Sequence, residues 1–396
     1  MERAEIVRWL KENNPEKLQE LYSMACSVKR RVLKNTVCVH GIIEFSNYCF
    51  GGRESGEKYR NDGCLYCGLR GGNSNLVRYR MRPEDIVSLA VYAANELGFK
   101  MLVLQSGIDF YYSTETLTEI IKEIRRQARV LIFLSIGERT RIDYQKLWDA
   151  GARGMLFRFE TSDTLLYAAL HPGGKLENRL KHLRLMKEIG FILASGPMLG
   201  IPSPWPEKIP DQTLESIADD ILLMKDLGVK MATLGPYVQA PDAVLGRLRP
   251  EVKHGDAELV LKVIALTRLT MPGVRIPCTT ALEAVGRETV GIENIRRQAI
   301  KAGATAFMPS LTPPEFFQHY RLYKGKNEGC FMSRKTMNDL LKVIRGEKSE
   351  LCASFGKKSE LSSDDLVKKN FRLTRKKFFP CWRKRKRVAK PTRFKL

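Results

Sequence analysis

The feature that most constrains this chain is an alternation repeated eight times: a short run rich in β-branched and other apolar residues, then a stretch with helical periodicity. The candidate strands are VHGIIEFSN from Val39, KMLVLQS from Lys100, VLIFLSI from Val130, GMLFRFE from Gly154, ILASGPML from Ile192, KMATLGPY from Lys230, RIPCTTA from Arg275 and ATAFMPS from Ala304. Gly98, Gly151, Gly190, Gly228 and Gly303 stand where the intervening helices should stop, each a few residues before the next strand. That register belongs to an α/β fold with a parallel sheet and helices on its outer face. Eight units over about 300 residues favour a (β/α)8 TIM barrel. A doubly wound open sheet is the rival, and the recurrence of polar residues at the C-terminal ends of the strands favours the barrel.

Three segments follow from this pattern. Residues 1–38 read as an N-terminal helical cap, with Ile6, Trp9 and Leu10 and then Leu18, Leu21 and Tyr22 as packing residues. Residues 39–345 are the barrel, and 346–396 a basic, disordered tail. The whole chain has 396 residues, 43% hydrophobic and 28% charged, which suits a large buried core and excludes disorder throughout. Net charge is +23, but residues 346–396 hold 17 Lys/Arg against 5 Asp/Glu, so half of the excess sits in the tail. There Phe371, Phe378, Phe379, Trp382 and Phe394 interleave with cations, a pattern that suits polyanion binding or no specific partner at all. No apolar run approaches the roughly 18 residues a membrane span needs. The acid-bearing N-terminus lacks a secretory core, so a cytoplasmic location and free or metal-bound thiols are expected.

Nine cysteines are unevenly placed, and three fall in one Gly-rich loop after the first strand: Cys49, then fourteen residues, then Cys64 and Cys67. Three thiolates suit a soft metal. A structural zinc site normally needs a fourth ligand, and the one nearby histidine, His40, lies inside the first strand. An iron-sulfur cubane with only three cysteines would leave one iron open to an exogenous ligand. Spacing alone leaves zinc, cluster and unliganded thiols open.

The segment FSNYC together with CLYCGLR resembles the cluster loop of radical S-adenosylmethionine (SAM) enzymes, in particular the HydE type of FeFe-hydrogenase maturase and its biotin synthase and methylornithine synthase relatives. MRPEDIV, LVLQSGIDFYY, LSIGE, RFET, LENRL, GPYVQAPD, IPCTTA and FMPSLTPPEFFQHYRLYKGK resemble HydE segments in the same order over roughly residues 20 to 345. The resemblance implies a 4Fe-4S cluster on Cys49, Cys64 and Cys67, with SAM on the fourth iron and reductive cleavage to a 5′-deoxyadenosyl radical. By the same resemblance Arg179 would meet the SAM carboxylate, and Tyr66 would lie against adenine. Glu138 and Glu160 would accept from ammonium or ribose, with Arg158 as a neighbouring cation. Gln105, Ser106 and Gly107 would form the ammonium clamp. Hydroxyls of Thr279, Thr280, Ser310 and Thr312 would orient a substrate, while Cys278 would face the packing.

The implied partners are a small-molecule or small iron-complex substrate, a flavodoxin- or ferredoxin-like electron donor and other hydrogenase maturases. A methylornithine-synthase-like mutase is the enzymatic alternative, and a non-catalytic barrel with a polyanion-binding tail the alternative of another class. Four departures stand out. The family carries three residues between its first two cluster cysteines where this chain has fourteen, an insertion that loop entropy tolerates. Ile108 replaces an acid, with Asp109 beside it, and Phe316 replaces a Tyr. Of the C-terminal cysteines that hold a second cluster in some relatives, only Cys330 lies in the corresponding region, so no second cluster is expected.

Overall fold

The structure is a computed structural model that describes residues 1–50, 63–326, 328 and 334–351, all within one compact unit. Its strands in chain order are β1 (Thr36–Val39), β2 (Gly41–Ser46), β3 (Met101–Ser106), β4 (Leu131–Ser135), β5 (Gly154–Leu156), β6 (Ile192–Ser195), β7 (Met198–Leu199), β8 (Met231–Ala232), β9 (Gly235–Pro236), β10 (Pro277–Cys278), β11 (Ala306–Phe307) and β12 (Glu350–Leu351). Every paired strand is parallel to its neighbour. β2, β3, β4, β5, β6 and β8 pair in that order. A bridge from Met231 to Arg275 leads to β10, β10 pairs with β11, and β11 returns to the start through Cys38–Ala306 on β1 and Ile42–Ser310. The chain is therefore α/β with a parallel sheet. β7 and β9 form a separate short pair beyond the ends of β6 and β8.

The helices arise where the sequence repeats at 3.6 residues and supplies ends. In Thr114–Gln127, Leu117, Ile120, Ile121 and Ile124 are buried, each contributing about 1.5–3 kcal/mol of apolar burial. Thr140 and Asp143 cap Arg141–Ala150 reciprocally, and Gly151 ends it at a φ of 114°, which a residue with a Cβ rarely adopts. Ile42, Met101, Val103, Phe133, Ala194, Met231 and Met308 pack together as one apolar cluster inside the sheet. Along β2, β3 and β4, Glu44, Gln105 and Ser135 stand side by side in register. Because side chains alternate along a strand, they sit one step beyond Ile42, Val103 and Phe133 on the same face.

The two N-terminal helices, Arg3–Lys11 and Pro15–Leu33, pack on outer helices. Arg3 Nε donates to Asp219 at 2.6 Å, Lys262 Nζ donates to Glu12 O at 2.6 Å, and Lys29 Nζ donates to Ile300 O at 3.0 Å. Two boundaries shift from the sequence expectation. β1 begins at Thr36, so a division after residue 38 cuts a strand, because Val37 and Val39 are as deeply buried as β2. Residues 346–351 belong with the compact unit instead of the tail, since β12 adds to the sheet by pairing Glu350 with Thr36 and Leu351 with Val37. The remainder of the tail, the Cys330 position and most of the insertion between Cys49 and Cys64 lie outside the described residues. No helix among the described residues is long and apolar enough to cross a membrane.

Candidate functional site

The cysteine loop leaves β2 and is pressed against the end of β3. Gly107 N donates to Ser46 O at 3.3 Å, Phe50 N donates to Ile108 O at 2.9 Å, and a Cβ on Gly107 would stand 2.2 Å from Tyr48 O and 2.8 Å from the Cys49 Cβ. Gly107 is thus fixed by the close approach of the Tyr48 carbonyl and the Cys49 Cβ. Cys67 N donates to Cys64 O at 3.1 Å, closing a turn that carries both thiols. Arg78, which the sequence reading missed, staples the two ends of the loop. Its guanidinium donates to Asn47 O at 2.6 Å, before Cys49, and to Leu69 O at 2.8 Å and Arg70 O at 2.6 Å, beyond Cys67. Burial pushes the Cys64 thiol up to about 12, with the Cys49 thiol adding to the shift, and burial followed by Cys64 and Cys49 raises Cys67. The three thiols therefore share one electrostatic neighbourhood. Among the described residues, no group of three His, Cys, Asp or Glu side chains is gathered tightly enough for a single metal ion.

Beyond the ends of β4 and β5 lie four charged groups. Arg179 Nη2 is 3.6 Å from Glu138 Oε1, its Nε donates to the Tyr167 hydroxyl at 3.0 Å, and its guanidinium carbon lies 4.1 Å from the Phe157 ring centre. Burial works against the charge on Arg179, but Tyr167 and Glu138 outweigh it and hold the group above its ordinary value. Arg158 Nε is 3.3 Å from Glu160 Oε2, yet that oxygen is buried without a hydrogen-bond partner. Glu160 itself sits at a φ of 69°, held by Glu160 N to Gly196 O at 3.3 Å and Met198 N to Glu160 O at 2.8 Å. A non-glycine residue in that region carries strain of about 1 kcal/mol or more.

Tyr66 is fixed from outside the loop. His171 Nδ1 lies 2.9 Å from Tyr167 O and must donate to it, so Nε2 accepts from the Tyr66 hydroxyl at 3.0 Å. Burial, reinforced by Arg179, brings His171 down to about 3, which keeps it neutral.

Other expected residues are placed differently. Ser310 Oγ donates to Glu44 Oε2 at 2.5 Å, Thr312 Oγ1 donates to the same oxygen, and Lys326 Nζ meets Glu44 Oε1 at 3.0 Å. Those two hydroxyls are spent on a buried carboxylate. Thr279 caps helix Thr280–Thr289 and donates to Leu234 O at 3.2 Å, while Thr280 Oγ1 is 2.6 Å from the Tyr323 hydroxyl. Gln105 Nε2 donates to the Tyr320 hydroxyl at 3.0 Å, and Ser106 Oγ donates to Gly107 O at 2.6 Å. Asp109 does not replace the acid missing at Ile108, because it is buried against Arg80 in a two-point contact and accepts from Ser46 Oγ. Phe316 packs on Tyr79, with ring centres 5.1 Å apart, and Cys278 is buried in the core. The signal for Glu44 was present in the sequence: it is the lone acid within the apolar run GIIEFS.

A match to the family model described as the radical SAM superfamily spans residues 61–210. The FeFe hydrogenase maturase subunit HydE of Thermotoga maritima is 38% identical over 308 residues, 78% of this chain and 80% of that protein. This chain belongs to the radical SAM superfamily. The 3-methylornithine synthase of Methanosarcina acetivorans is 26% identical over 68% of the chain and 70% of its own length. The crystal structure of methylornithine synthase, PylB, superposes with a TM-score of 0.72 at 21% identity, covering 89% of this chain and 94% of that one, which establishes the shared fold.

Radical SAM enzymes use a 4Fe-4S cluster and SAM, and the residues present fit both. A cubane needs three thiols spread over three irons instead of three converging on one ion. Zwitterionic SAM needs buried acceptors and a buried cation. The Glu160 oxygen that accepts no hydrogen bond and the long Arg179–Glu138 contact would suit these. A hollow of about 450 Å3 lined by Lys100, Arg125, Arg129, Val130 and Leu131 lies at the opposite ends of β3 and β4 and includes none of these groups.

Proposed function

We propose that this radical SAM enzyme works as a HydE-like maturase in assembly of the FeFe-hydrogenase H-cluster, on a small iron-complex or other small substrate enclosed by a (β/α)8 barrel. The barrel is the reading we give to the ring of parallel pairings, with the helices before residue 36 as its cap, residues 36–351 as the catalytic unit and the basic sequence after residue 351 as a polyanion-attracting segment. The observation that carries the reading is the meeting of three half-buried thiols with Arg179, Glu138 and Glu160 at one end of the sheet.

Cys49, Cys64 and Cys67 would hold the cluster, and their thiols must lose protons to do so. Bound there, the cluster supplies one electron for reductive cleavage of SAM. Arg179 binds the SAM carboxylate by exchanging the long contact to Glu138 for a shorter charge-assisted one. Glu138 and Glu160 accept from the ammonium and the ribose, and Arg158, 3.3 Å from Glu160 Oε2, holds that carboxylate in place. The neutral His171 orients Tyr66 against the adenine. A cytoplasmic location and a flavodoxin- or ferredoxin-like donor suit an enzyme that needs a reduced cluster. The 38% identity to HydE over most of the chain favours this reading over a mutase like 3-methylornithine synthase.

The test is anaerobic iron-sulfur reconstitution followed by EPR with and without SAM. A reduced-cubane signal that SAM perturbs, and that Cys64→Ala abolishes, supports the proposal. Failure to assemble a cubane, or a signal indifferent to SAM, would remove it.

A further inference from the structure

Residues 320–326 form a strap across the ends of the strands. Tyr320 and Lys326, at its two ends, are 1% and 3% exposed, while every residue between them is half-buried or exposed. The strap is thus pinned at its ends. At the first, the Tyr320 hydroxyl accepts from Gln105 Nε2. At the other, Lys326 Nζ reaches Glu44 Oε1 at 3.0 Å, with side-chain exposures of 3% and 0%. Between the pins the strap meets the cysteine loop: Gly68 N donates to Leu322 O at 2.9 Å, and a Cβ on Gly68 would lie 2.1 Å from Arg321 O. Lys324 N donates to Gln239 O at 3.0 Å, and Tyr323 meets Thr280.

Glu44 is in turn locked to its strand. Its Oε2 accepts from Ser310 and Thr312, and its own backbone N–H donates to Thr312 Oγ1 at 2.7 Å. A buried ion pair stabilises little by itself, since desolvation offsets its attraction, so what it confers is a fixed geometry. That geometry here reaches the residue next to Cys67.

We propose that Glu44 is a positioning residue: through Lys326 it tethers the strap, and the strap sets the backbone at Gly68 and with it the Cys67 thiol. The part concerning Cys67 rests on the cluster reading above, whereas the tether itself does not.

The test is amide hydrogen exchange on the full metal-free chain. Glu44→Gln/Lys326→Met removes both charges and leaves neither uncompensated. Its Gly68 and Lys324 amides should exchange about tenfold faster than wild type while Val103 in β3 is unchanged. Lys326→Arg, which keeps the cation, should stay within about twofold of wild type at all three positions. Wild-type exchange at Gly68 and Lys324 in the double variant, an equal rise at Val103, or a Lys326→Arg profile matching the double variant would overturn the tether. In reconstituted protein with equal iron, the double variant should show an altered EPR line shape, and an unaltered one would overturn the link to Cys67. If wild type itself fails to bind iron, the functional reading falls and the exchange result still decides the tether.

Discussion

Two walls of the same sheet hold buried charge in opposite ways. On the wall of β4 and β5, Arg179 and Glu138 stand 3.6 Å apart with side-chain exposures of 14% and 16%, and a buried Glu160 oxygen, 3.3 Å from Arg158 Nε, accepts no hydrogen bond. On the wall of β2 and β11, Glu44 accepts from two hydroxyls and an ammonium and is fully buried with Lys326. The first arrangement keeps bonding capacity in reserve at the expense of stability, as a ligand site must. The second has spent its capacity. Hydroxyls on β2's side of the sheet therefore serve the framework, although their type and their place after the eighth strand had pointed Ser310 and Thr312 to substrate.

The contrast can be broken most severely at the sealed wall. Lys326→Met leaves a buried carboxylate without its cation and should lower unfolding stability by about 3–5 kcal/mol in urea titration, with most of the loss recovered when Glu44→Gln is added. Little effect of the single change, or no recovery in the pair, would show that the wall is not sealed by charge.

At the open wall the larger effect should fall on ligand binding. Arg179→Met is expected to weaken SAM binding about 10- to 100-fold in equilibrium dialysis, equivalent to about 1.5–3 kcal/mol. SAM affinity unchanged by that substitution would detach Arg179 from the ligand.

Asp220 sharpens the comparison from beneath the open wall. It accepts from Ser162 N at 2.5 Å and from Gln212 Nε2, and burial raises its carboxyl from 3.8 to about 7. The folded value exceeds the unfolded one, so folding takes up a proton between these limits. The stability contributed by the protonated form is complete below about 4 and is lost as pH rises through about 7. Asp220→Asn should flatten this slope, and its stability relative to wild type should rise by about 1–2 kcal/mol between pH 5 and 8. Parallel stability curves for the two proteins across that range would refute the assignment.

The smallest effect has the opposite sign. Glu160→Gly relieves a positive φ and removes an oxygen that accepts no hydrogen bond, while Arg158 keeps its donations to Gly196 O and Pro197 O, so the change should stabilise the chain by about 1 kcal/mol and weaken SAM binding. A destabilised Glu160→Gly protein would mean that Glu160 is part of the framework after all.

Much of the architecture is local and was legible. Strand and helix periods follow from backbone geometry, so β3, β4, β5 and β6 lie where the apolar runs placed them, and Gly151, Gly190 and Gly228 end their helices in the left-handed region. The three cysteines of one loop were likewise visible as a group. Boundaries were less legible, because Thr36–Val39 becomes a strand only through its pairing with β11 and β12.

What the chain could not announce were the contacts between distant positions. Lys326 and Glu44 are 282 residues apart, Tyr66 and His171 are 105, and Arg78 is recognisable as a staple only once Asn47 and Arg70 stand on either side of it. Residue type and spacing determined which groups could bind a cluster and SAM. Whether a hydroxyl or carboxylate is available to do so depends on which partners the parallel register brings within 3 Å, and only the tertiary structure decides that.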